Sequence, residues 1–306
     1  MIATCLRAGW RAAFERPRLI VTVWFWNAVL AAAAGFGAWR WLSAAFNYSP
    51  EADKALERFP LALLLELLQY DRFSPLTLLN GAALGLLVAA LLSNPLITGG
   101  VLEVLVSRDD RPLLHRFFRG GGHFYGRFLR LLMISGVALL VLVIAAGLAL
   151  RPIVTALGES SWERTWLAAA LLRLAILGGL AGLVMAVLDV ARARVATAGT
   201  EIRGMLRAWI GAARSVLAHF VAAAGIYLTL GIVWVVLAVA GLWIVSIVPV
   251  TGWAGILLLI VVQQAFMIAR AALRVVRAAA SVAWVSLAVE REARVPVSSV
   301  PNPAAL

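Results

Sequence analysis

The chain has 306 residues, is 63% apolar, carries a formal net charge of +12 and has a mean hydropathy of +0.95. Those values exclude a soluble domain of this size, and no hydrophilic stretch is long enough to fold alone as one attached to a membrane anchor. They also exclude nucleic acid as the partner of the positive charge. The basic residues are spread over four segments beside apolar runs rather than gathered into one stripe, so anionic lipid is the expected counterpart, at roughly 1 kcal/mol per Arg near the surface.

Residues 1–16 place Ile2, Leu6, Trp10, Ala13 and Phe14 on one helical face and Arg7, Arg11 and Glu15 on another. This spacing predicts an amphipathic helix at the membrane interface, ended by Pro17. No cleavable leader is read here, and the first span, about 19–42, is expected to act as an uncleaved signal anchor. Cys5 is the only cysteine, which excludes a disulfide within the chain. Residues 43–74 form a long polar stretch in which 61–68 are apolar but too short to span, so a helix lying on the outer surface is expected.

The second span, about 75–106, contains Asn94 and Pro95 followed by Gly99 and Gly100. Proline removes a backbone hydrogen bond and clashes with the carbonyl four residues back, so a break or kink is expected there. Segment 107–130 reads as a short amphipathic helix, a hinge at Gly120, Gly121 and Gly122, and then entry to a third span at about 128–150. The fourth span covers about 166–189. Residues 200–215 again have an amphipathic pattern, with Ile202, Met205, Leu206 and Trp209 on one side and Arg207 and Arg214 among the polar positions. The fifth span covers about 217–247. A turn at Thr251 and Gly252 leads to the sixth, about 254–277, whose helical pattern continues to about 290. The tail 295–306 is Pro/Ser-rich and expected to be disordered.

The basic residues orient these spans. Of the 27, 20 lie in 1–18, 107–130, 191–215 and 270–306, and only Arg40, Lys54, Arg58, Arg72, Arg151 and Arg164 lie between the other ends of the runs. The positive-inside rule then predicts an all-α integral membrane protein with six transmembrane helices and both termini in the cytoplasm. The helices form three hairpins, each preceded by a cytoplasmic interfacial amphipathic helix. Letters repeat as well: LRAGWRAA at 6–13 against LRAWIGAA at 206–213 share five of eight positions.

Chemistry-bearing residues are few. The polar groups within spans are Asn27, Asn94, Arg173, Gln263 and Gln264. Such groups either hydrogen-bond between helices, at about 0.6 kcal/mol each, or line a path or small cavity around Asn94 and Gln263. Arg173 is placed to snorkel outward or to pair with Glu66 or Asp71. Arg7, Arg11, Arg116, Arg119, Arg207, Arg270, Arg274 and Arg277 are the candidate contacts to lipid headgroups or to a partner. The last three follow at i, i+4 and i+7 on one helical face. Gly81 with Gly85, and Gly178 with Gly182, are spaced for close helix packing, within the chain rather than between copies. Asp189 and Glu103 sit near cytoplasmic span ends and are expected to pair with arginines such as Arg192, Arg194 or Arg108. His115 and His123, with Asp109 and Asp110, match no metal-ligand spacing. No nucleophile elbow, metalloprotease helix or phosphate-binding loop is present, so neither catalytic residues nor a cofactor or metal is expected.

The stretch LDVARARVATAGTEIRGMLRAWIGAARSVLAHF resembles a pattern in uncharacterised bacterial polytopic membrane proteins. In that pattern a span ends in Asp-x-x-Arg-x-Arg and an amphipathic helix leads into the next span. The likeness falls on Asp189, Arg192 and Arg194 and on QQAFMIARAALRVVRAAAS at 263–281, covering roughly the C-terminal half. More loosely, the plan is similar to the membrane domain of bacterial glycerophosphodiester phosphodiesterases, whose catalytic domain has no counterpart here. The resemblance implies a multi-pass protein of the bacterial inner membrane. With a sparse polar interior and an arginine-lined cytoplasmic side, the expected function is non-enzymatic: a structural or accessory component contacting anionic inner-leaflet lipid, and a protein partner or second copy. The alternative is a transporter or lipid-translocating protein with its site near the interrupted second span.

Overall fold

Apolar runs of this length leave the backbone only one way to satisfy its hydrogen bonds without water, and the described chain is helical throughout. The computed structural model describes residues 1–46, 75–107, 109–158, 163–198, 204–248 and 253–294. The surface helix expected at 61–68, the turn at 251–252 and the tail 295–306 lie outside the described residues.

The helices are α1 (Ile2–Phe14), α2 (Pro17–Phe46), α3 (Pro75–Val106), α4 (Leu113–Gly158), α5 (Glu163–Ala198), α6 (Met205–Ala218), α7 (Phe220–Ile247) and α8 (Trp253–Arg294). Among the described residues, five contain a segment long and apolar enough to cross a membrane: Gly85–Val106, Leu113–Pro152, Leu167–Ala198, Phe220–Ile247 and Trp253–Ala288. The apolar part of α2, Pro17–Ala33, falls short of that length within the described residues. The chain is thus a multi-pass helical membrane protein by length and composition.

Neither expected interruption ends a helix. Helix α3 runs through Pro95 without a break. The glycine hinge before the third span is itself helical, so the amphipathic segment and the span form a single 46-residue helix, α4. At about 1.5 Å per residue that helix is some 70 Å long, more than twice a hydrocarbon core of about 30 Å. Packing explains the continuity. The glycines of α4 cross those of α3 so closely that a Cβ on Gly120 would overlap Glu103, and one on Gly100 would lie 2.6 Å from the Phe117 carbonyl oxygen. Arg116 then caps the end of α3, donating from Nη2 to the Val104 carbonyl at 3.0 Å and the Ser107 carbonyl at 2.5 Å. By contrast, Gly85, Gly178 and Gly182 meet nothing within 4 Å, so the packing expected at those positions is not formed.

The core sits at one end of the bundle. Buried side chains come from the start of α2 (Leu19, Val23), the end of α3 (Ile97 to Val104), the first half of α4 (Phe117 to Leu131), and the second halves of α5 and α8. Toward the other end, large apolar residues such as Leu140, Leu174, Val236 and Leu257 face outward, as lipid-facing residues do. Helices α1 and α6 complete the packed end. Each turns a column of small residues inward at four-residue spacing: Cys5, Gly9 and Ala13 in α1, and Ala208, Ala212 and Val216 in α6. Helix α1 lies on α8, so close that a Cβ on Gly9 would stand 2.7 Å from the Val276 carbonyl oxygen, and α6 lies mainly on α5. The second half of α8 is therefore packed against the bundle. At the centre, α3, α5 and α8 touch one another pairwise.

Candidate functional site

The second halves of α5 and α8 carry charge among apolar residues, and the fold turns that charge inward. Asp189 and Arg192 lie three apart on α5, one turn, and form an ion pair at 3.8 Å, in line with their spacing. Asp189 also takes Arg277 of α8 at 3.0 Å and accepts a hydrogen bond from the Tyr227 hydroxyl of α7 at 2.9 Å. One turn before Arg277, Arg274 crosses to α3. There it donates through Nη2 to the Asn94 side-chain oxygen, to Thr98 Oγ1 at 3.1 Å, and at longer range to the Asn94 carbonyl. Three guanidinium groups and one carboxylate thus meet where the three central helices converge, leaving two positive charges in excess.

Arg192 is the most enclosed of them. It is 1% exposed and lies with its guanidinium carbon 5.8 Å from the centre of the Phe128 ring, within the range of a cation–π contact. Its Nε and Nη2 have no hydrogen-bond acceptor among the described residues. Thr98, Val101 and Leu102 of α3, Asp189 and Arg192 of α5, and Arg274, Arg277 and Ala278 of α8 line a partly open cavity of about 20 Å³. Arg277, with a side chain 34% exposed, connects the cluster to the outside of the bundle.

The candidate arginines fall into different environments. Arg7, Arg11, Arg119, Arg207 and Arg270 are exposed. Arg11 pairs with Glu15 at 2.7 Å, and Arg119 and Arg111 reach Asp109 at 3.7 and 3.4 Å. Arg116 is held at the end of α3. The trio 270, 274 and 277 is divided: Arg270 faces out, while Arg274 and Arg277 join the interior cluster. The polar residues are likewise separated. Asn94 meets Arg274, and Gln264 accepts a hydrogen bond from Trp24 Nε1 at 2.9 Å. Gln263 and Arg173 are exposed, and Asn27 is half-buried. Asn94 and Gln263 are not brought together.

Sequence reading assigned no role to Thr98 or Tyr227, and it treated Arg192 as an edge residue. The signal was present in part: Thr98 stands one turn after Asn94, and the segments 188–220 and 263–281 both carry cluster residues. Among the described residues no three of His, Cys, Asp and Glu are grouped to hold a metal ion. The sequence matches no protein-family model, and no curated protein or solved structure matches it either.

Proposed function

We propose that the chain is a non-enzymatic, multi-pass protein of a bacterial inner membrane that engages anionic inner-leaflet lipid through its arginine-rich, packed end, alone or as an accessory to a partner. In this reading α2 also spans, giving six spans in three hairpins, with both termini on the cytoplasmic side. The observation that carries the proposal is the placement of α1 and α6. Both lay a small-residue face on the bundle and present arginines outward: Arg7 and Arg11 on one, Arg207 on the other. Exposed apolar residues stand beside them, Phe14 on α1 and Leu206 and Ile210 on α6. A helix with that distribution rests at headgroup level, its apolar edge among acyl chains and its guanidinium groups among phosphates.

The test changes the exposed set together, Arg7→Gln, Arg11→Gln, Arg207→Gln and Arg270→Gln, and measures by native mass spectrometry the lipid retained after mild detergent extraction. Wild type should retain anionic phospholipid in excess over zwitterionic, and the variant should lose that excess. Equal retention by the two would end the proposal. The transporter alternative draws support from the Asn94, Thr98 and Arg274 cluster, but the uninterrupted course of α3 and the small cavity favour the lipid-engaging reading.

A further inference from the structure

We infer that the cavity bounded by Arg192, Arg274, Arg277 and Thr98 is a binding site for a single small inorganic anion of halide size. The inference goes beyond the lipid-engaging reading and concerns different arginines, buried rather than exposed.

Three observations converge on it. The first is charge. Among the described residues, Asp189 is the one carboxylate lining the cavity, against three guanidinium groups. Uncompensated charge held away from water is strongly unfavourable, and a buried anion relieves it. The second is hydrogen bonding. Nε and Nη2 of Arg192 are buried without an acceptor, although guanidinium N–H groups are strong donors and leaving them unmet is costly. Asp189 does not meet them: its oxygens are engaged by Tyr227, by Arg277 and by Nη1 of Arg192. The third is size. A cavity of about 20 Å³ admits roughly one water-sized particle. A monatomic anion fits that space. Water fits too, but it brings no charge and presents two hydrogens of its own to a cationic wall. An anion accepts from every donor and lowers the net charge.

The guanidinium groups are also fixed before any anion arrives. Arg274 is tied to Asn94 and Thr98, Arg277 to Asp189, and Arg192 is held between Asp189 and the Phe128 ring. Binding then requires little further ordering of side chains. The partly exposed Arg277 offers the anion a way in from the surface.

The experiment uses the full chain in detergent and follows thermal unfolding in sodium chloride or sodium bromide against sodium gluconate at matched ionic strength. The expected result is a saturable rise in Tm with halide, and a halide affinity about tenfold weaker or worse in Arg192→Gln, as expected for losing charged hydrogen bonds. Should that variant fail to fold, bromide anomalous scattering from crystals of the wild type gives the same answer, with a peak expected beside Arg192. Equal Tm in chloride and gluconate, a larger rise with inorganic phosphate than with halide, an undiminished halide affinity in folded Arg192→Gln, or a bromide map without that peak would each overturn the inference. None of these readouts depends on whether the exposed arginines retain lipid.

Discussion

Asp189 balances the interior cluster. Its two oxygens receive Tyr227 Oη and Arg277 Nε and face Arg192 Nη1. Asp189→Asn keeps the shape but removes the one negative charge from among three positive ones. The expected loss of stability is about 3–5 kcal/mol, as when one partner of a buried ion pair is removed. Tyr227→Phe removes a single hydrogen bond and should cost about 1 kcal/mol. Thermal unfolding in detergent should rank them in that order, and a milder effect for Asp189→Asn would mean that the cluster is solvated. The pairing of Asp189 with Arg192 was legible from their spacing. The inward course of Arg274 and Arg277 was not, because a periodic pattern shows which residues share a face but not which way that face turns. Cys5 offers a second check at this scale. Burial pushes its thiol up from the ordinary range, the positive N-terminus only partly opposing this, so little thiolate forms near neutral pH. A maleimide should label Cys5 slowly in the folded protein even as the pH is raised toward 8.5, and quickly once the protein is unfolded.

At the scale of elements, apolar length was enough to locate the helices, but their internal breaks were misjudged. Glycine disfavours helix by about 1 kcal/mol relative to Ala, and Gly120 to Gly122 were read as a hinge on that ground. In the fold, two of the three serve the crossing with α3. Gly120 and Gly121 face Glu103 and Leu96, while Gly122 meets nothing within 4 Å. This asymmetry makes a test. Gly120→Ala should destabilise by roughly 1–3 kcal/mol through overpacking against α3. Gly122→Ala should be neutral or stabilising by up to about 1 kcal/mol. A true hinge would make the two substitutions alike. The glycines at 178 and 182 teach the converse. Their spacing permits a close approach, but nothing in that spacing supplies the partner.

At the scale of the whole molecule, the three amphipathic segments share one habit. The start of α4 packs on the end of α3, α6 on the end of α5, and α1 on the second half of α8. Each of the three thus packs on a long helix near its end, and the letter repeat misaligns their buried columns. Matching 6–13 to 206–213 sets Gly9 against Trp209, whereas the buried columns 5, 9, 13 and 208, 212, 216 superpose three residues further along. Shared composition, not shared position, produced that match. The contacts also predict how the chain behaves when cut between α5 and α6. Fragments 1–200 and 201–306, expressed together, should co-purify, because α1 and α2 hold α8 and α5 holds α6 and α8 without any covalent link. Fragments that separate in mild detergent would contradict the interlocked arrangement.

The seat of α1 on α8 also sets a schedule for assembly. The residues that receive Gly9 are made about 270 residues after it, which at about 5–20 residues per second is a delay of roughly 15–50 seconds. Throughout that interval the first helix lacks its main seat, and Gly9 is not yet covered by α8. On the proposed lipid-engaging reading, the guanidinium groups of Arg7 and Arg11, and the rings of Trp10 and Phe14, would give it somewhere to wait at the lipid surface while the remaining helices insert. A helix fitted only for its final seat, with no affinity for the interface, would pass that time exposed to aggregation and proteolysis.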